Sequence, residues 1–139
     1  MEKDTAEIVK ELGFSKDFQT FYNENKEYMV LADLSQLLAE ILQKKGLKKS
    51  QVIKNAEISE IYGYQIFSGV RMPERRKLLC LAISMKLNIE EAQRLLKSAG
   101  YSQLYVKKPF DCVILFGLDK GLSVIEINEL LYRYGLETL

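Results

Sequence analysis

The sequence predicts an all-α fold, and three observations carry that prediction. Apolar residues recur at helical spacing along nearly the whole chain. No segment keeps up a period-2 alternation. Capping residues and glycines bracket the apolar stretches where helices would start and stop.

The elements follow in order. An N-terminal arm, residues 1–30, should hold two short helices near Thr5–Leu12 and Asp17–Tyr28. Gly13 acts as a stop between them and Ser15 as a cap. Leu34, Leu37, Leu38, Ile41 and Leu42 then form one strongly apolar face. That helix should end at Gly46, after Lys44 and Lys45, whose charge suits the negative end of the helix dipole. Two short helices are expected at about Lys49–Ala56 and Glu60–Ser68, and Gly69 breaks the chain. Pro73 suits the first position of a helix running to about Lys86.

The last third contains an echo. "LNIEEAQRLLKSAGYSQL" (Leu87–Leu104) aligns with "LSVIEINELLYRYGLETL" (Leu122–Leu139) at an offset of 35, with six of 18 positions identical. Each copy opens on a cap, Asn88 or Ser123, with Glu three residues on, the pattern of a capping box. Each closes on a glycine, Gly100 or Gly135. Each follows an apolar helix introduced by proline, Pro73 or Pro109. Two similar hairpins are therefore expected, either as a duplicated packing unit or as a repeat that builds a binding surface.

Composition narrows the function. Of the 139 residues 47% are hydrophobic and the net charge is +1, as for a folded chain. With no histidine and no Cys-x-x-Cys, a zinc site, a Ser-His-Asp triad and a Cys-His dyad are excluded. Neither G-x-x-x-x-G-K-[ST] nor G-x-G-x-x-G occurs, so no standard nucleotide cradle, no cofactor and no metal are expected, and the chain does not read as an enzyme. Cys80 and Cys112 both sit in apolar runs and read as reduced core thiols. No apolar run reaches the length of a membrane span, and the acidic start "MEKDTAEIVKE" has no signal-peptide core, so the expected location is the cytoplasm. Charge is uneven: residues 1–30 carry −3, residues 31–86 carry +5 and residues 87–139 carry −1. The basic segment is where a polyanion would bind.

That segment includes "LLAEILQKKGLKKSQVIKNAEISEIYGYQIFSGVRMPERRKLLCLAISMKLNIEEA" (Leu37–Ala92). Gly46-Leu47 precede its first short helix, with Val52 and Ala56 inside that helix and Ile58-Ser59 in the turn. Ile66 lies in the second helix, Ser68-Gly69 close it and Pro73 opens the next. These marks resemble the Xre, or Cro/cI-like, helix-turn-helix family of transcriptional regulators, over roughly residues 31–92. The resemblance implies a five-helix DNA-binding domain, here set at 31–104, and the repeat adds a C-terminal hairpin at 105–139. It also implies duplex DNA as partner, the second motif helix in the major groove, and a homodimer on paired half-sites.

Carried over position by position, the base-reading residues are Glu60, Ile61, Tyr64 and Gln65. Gln65 can bond an adenine edge, Ile61 can pack on a thymine methyl and Glu60 can accept from a cytosine amino group. Lys48, Lys49, Tyr62, Arg71, Arg75 and Arg76 are the candidate backbone contacts. Glu60 has a plainer explanation, since a carboxylate in a first helical turn is favoured by the dipole alone, and Tyr62 could be core. The second motif helix holds no Lys or Arg, and Gly63 lies in its middle. Glu57 stands where the family usually has a turn glycine, so either a left-handed backbone there is strained or the turn differs. The alternative to DNA binding is a protein-interaction module on the same scaffold, with Glu60, Tyr62 and Tyr64 on its surface.

Overall fold

A computed structural model of the chain describes residues 3–139. Met1 and Glu2, at the start of the expected arm, lie outside the described residues, as do the side chains of Leu31 and Ala32. Among the described residues the fold is all-helical. The helices are α1 (Thr5–Phe14), α2 (Phe18–Asn25), α3 (Val30–Lys45), α4 (Lys49–Asn55), α5 (Glu60–Phe67), α6 (Arg75–Ser84), α7 (Ile89–Ser98), α8 (Pro109–Lys120) and α9 (Val124–Arg133), with a short 3-10 turn at Lys26–Tyr28. Helix α3 begins at Val30, one residue before the expected domain boundary at 31. No helix among the described residues is long and apolar enough to cross a membrane.

Caps explain most boundaries. Gly46 ends α3 in the left-handed region at φ 64°, and Ser59 Oγ accepts from the Tyr62 amide to open α5. Both expected capping boxes form, Asn88 with Glu91 and Ser123 with Glu126. Three local expectations need correction. Gly13 lies inside α1, which runs on to Phe14. Ser15 closes α1, donating to the Glu11 carbonyl, whereas Asp17 caps α2 by accepting from the Gln19 and Thr20 amides. Asp and Ser cap about equally well, so the choice follows from which of them stands where the chain enters the first turn. Pro73 precedes α6 by two residues, Glu74 is the cap, and the Pro73 carbonyl accepts from Tyr101 Oη at 2.6 Å.

One contiguous core runs from Leu34 on α3 to Leu131 on α9. Leu34 and Leu38 seat α3 in it, with Leu37, Ile41 and Leu42 half-buried around them. Helix α6 is buried from Leu78 to Ile83, because α4, α7 and α9 all pack on it. Cys80 belongs to this core, and burial pushes its thiol up to about 11. Cys112 does not. It is exposed on α8, so the expectation of two core thiols holds only for Cys80.

The sequence echo is also an echo in hydrogen bonding. Gln93 Oε1 accepts from the Leu104 amide at 2.7 Å, and Asn128 Oδ1 accepts from the Leu139 amide at 2.7 Å. Both partners are displaced by the same 35 residues. The two hairpins, α6–α7 and α8–α9, touch reciprocally: α6 meets α9 and α7 meets α8. Arg75 bonds Asp111 while Arg76 lies over the Phe110 ring, and 75 and 110, like 76 and 111, are equivalent positions. Lys86 Nζ donates to the carbonyl of its own equivalent, Gly121, at 2.9 Å. Contacts of i with j′ and of j with i′ are the signature of a two-fold arrangement.

Candidate functional site

The candidate site is built on α4 and α5, held against α3 and α6. Val52 and Ile53 on α4, and Gly63, Ile66 and Phe67 on α5, are buried. Ser84 Oγ on α6 donates to the Val52 carbonyl at 2.6 Å and ties α4 to the core. A Cβ on Gly63 would stand 2.5 Å from Ile53 Cγ2. The two helices therefore cross closely at that point, and only glycine fits the crossing as it stands. The turn between them carries Glu57 at φ 60°, so the left-handed geometry is present without its usual glycine.

With that inner face buried, α5 turns its other face outward. Ile61 is 74% exposed and Tyr64 40% exposed. Glu60 is exposed beside them and Gln65 is half-buried. All four sequence-derived reading candidates therefore lie along one face of α5, as i, i+1, i+4 and i+5 require. An open cleft of about 440 Å³ runs between α4 and α5 at this face, lined in part by Ser50, Lys54, Glu57, Glu60 and Tyr64. Lys54 was not singled out from the sequence. The signal was its spacing, four residues after Ser50 on the side of α4 that faces the turn.

The six candidates for backbone contact separate into two groups. Lys48, Lys49 and Arg71 are exposed near α4 and α5. Lys49 Nζ lies 5.7 Å from the Phe67 ring centroid, and the Arg71 guanidinium 5.3 Å from that of Tyr62. Tyr62 is half-buried, and its hydroxyl accepts from the Glu74 amide at 3.3 Å. The tyrosine therefore serves as a strut for the chain before α6 and a platform for Arg71.

Arg75 and Arg76 point elsewhere. Arg75 donates to both carboxylate oxygens of Asp111 at 3.3 Å, and to the Ser102 and Gln103 carbonyls at 3.1 and 3.3 Å. Asp111 is only 3% exposed and also accepts from the Tyr105 amide. Arg76 donates to the Thr138 carbonyl at 2.7 Å and pairs with Glu137. Their sequence position beside the motif suggested a phosphate surface. Their guanidiniums instead join the first hairpin to the second.

No protein-family model, curated protein or solved structure matches this chain. The functional reading therefore rests on the residues and their geometry.

Proposed function

We propose that the chain is a sequence-specific duplex-DNA-binding transcriptional regulator of the Cro/cI-like helix-turn-helix type, acting as a homodimer in the cytoplasm. In this reading α5 enters the major groove. Glu60, Ile61, Tyr64 and Gln65 meet base edges, and Lys48, Lys49 and Arg71 meet phosphates. The observation that carries it is the outward face of α5, which holds all four reading candidates on a helix clamped from behind by α4. The local excess of basic residues supports it. The reading assigns the chain no catalytic step and no cofactor.

One observation favours a protein-interaction module instead. With Arg75 and Arg76 engaged internally, the exposed face of α5 offers Ile61 and Tyr64 and no cation, which suits a protein partner better than a polyanion.

Binding to fragments of the chain's own genomic neighbourhood, with scrambled duplex as competitor, separates the two. A regulator retains one fragment over competitor at moderate salt and loses that preference on Gln65→Ala with Tyr64→Ala. Its affinity falls with salt, and each phosphate contact removed, such as Lys48→Ala, lowers the log–log slope by about 1. Equal binding to every duplex would refute sequence reading, and no binding at low salt would refute DNA binding altogether.

A further inference from the structure

The first hairpin is covered on two sides. α8 and α9 pack on it from one direction, and α3 and α4 from the other, through α7 and α6 respectively. Among the described residues the second hairpin packs on the first and has no equivalent of α3 and α4. The repeat identifies which surface this leaves open. Leu78, Leu81, Leu95 and Ala99 of the first hairpin are all buried. Their equivalents at +35 are Val113, Phe116, Leu130 and Tyr134. Phe116 is 50% exposed and Tyr134 70% exposed, while Val113 and Leu130 are half-buried. With Cys112 these four line an apolar groove of about 280 Å³ between α8 and α9. An uncovered face gains nothing from apolar side chains, yet here Leu and Ala are matched by the larger Phe and Tyr. A contiguous apolar surface of this kind marks an association site.

We propose that this α8–α9 groove is where two copies of the chain associate face to face about a two-fold axis. Two observations select a second copy as the occupant. The exposed charges within four residues of a groove residue are of both signs, Lys108, Lys120 and Arg133 against Asp119, Glu126, Glu129 and Glu137. Lys120 Nζ reaches 5.7 Å from the Phe116 ring centroid and pairs with Asp119. Such a rim is self-complementary and suits neither a polyanion nor a strongly charged partner. Two-fold packing of one hairpin on another is also a geometry that this repeat already makes inside the chain. In an isologous contact both grooves are sealed at once. The inference gives the pairing within the proposed function its surface and rests on that pairing, but its test needs no DNA.

The test is light scattering coupled to size exclusion on the full chain, without DNA, across a concentration series. The expected result is twice the monomer mass at high concentration. Phe116→Asp and, separately, Tyr134→Glu should each weaken the dimer more than about tenfold, as truncation of an aromatic anchor does. Tyr134 is exposed enough that Tyr134→Glu should keep the wild-type far-ultraviolet circular dichroism, so a dimer lost there is lost at the interface. Alkylation of Cys112 should also slow as the wild type dimerises, with buried Cys80 unreactive throughout. A wild type that stays monomeric overturns the inference. So does a dimer that survives both substitutions, or one that is lost only on Phe14→Asp in α1. A monomer that still selects one duplex would overturn this pairing and leave the DNA reading standing. A groove-dependent dimer that binds no duplex would do the reverse.

Discussion

At Gly63, helix propensity and packing oppose each other. Glycine within a helix costs about 1 kcal/mol relative to alanine, so propensity alone favours Gly63→Ala. The added methyl, however, would meet the branched and buried side chain of Ile53 at 2.5 Å. Forcing extra volume into a packed site costs about 1–3 kcal/mol, and the close approach puts this case at the upper end. Gly63→Ala should therefore lower stability in urea titration, whereas in an Ile53→Ala background the same change should raise it. Glu57 presents the opposite case. Its φ of 60° lies in the left-handed region, which disfavours any residue with a Cβ. Glu57→Gly should stabilise the chain by about 1 kcal/mol, read as a higher urea midpoint at unchanged m. The sequence left open whether the turn at Glu57 would be left-handed or would differ, and the backbone takes the left-handed form. The reason for Gly63 was not legible in the sequence, because Ile53 reaches it only once α4 and α5 have crossed.

At the scale of the element, the capping boxes give a pH signature. The Glu91 carboxyl is held below its usual 4.5, first by the Asn88 amide that donates to it and also by Lys45, whose Nζ lies 3.3 Å away. A carboxylate whose folded pKa is depressed adds stability above its unfolded pKa, and that stability is lost as pH falls through the folded value. Wild type should thus exceed Glu91→Gln in stability at neutral pH. The difference should shrink as pH drops below about 4.5, measured by thermal melts over an acid series. These boxes were legible in the sequence because cap and carboxylate are three residues apart. Ser15 and Pro73 were misassigned for a related reason. Several nearby residues could cap each helix, and the choice among them depends on where the chain enters its first turn.

For the molecule as a whole, Arg75 decides how the hairpins are joined. Asp111 is almost wholly buried, so removing Arg75 leaves its carboxylate only the Tyr105 amide as partner. Arg75→Ala should cost about 3 kcal/mol or more in denaturation, while the salt slope of any duplex binding stays unchanged. Lys48→Ala should behave in the opposite way, with stability within about 0.5 kcal/mol of wild type and a shallower slope. That contrast separates a clasp from a phosphate contact, and it can be measured with two variants and two assays.

The sequence by itself determined the helical class, the two capping boxes and the 35-residue repeat. All of these follow from interactions within a few residues or from one helix's periodicity, so they can be read along the chain. The tertiary structure alone decided that Arg75 reaches Asp111 and that Arg76 reaches Thr138. It also decided that Cys112 faces out while Cys80 is enclosed, and that the second hairpin keeps an uncovered apolar groove. Each of those depends on which distant helix packs where. An arginine 36 residues from the buried carboxylate that it neutralises looks, in sequence, the same as one waiting for a phosphate.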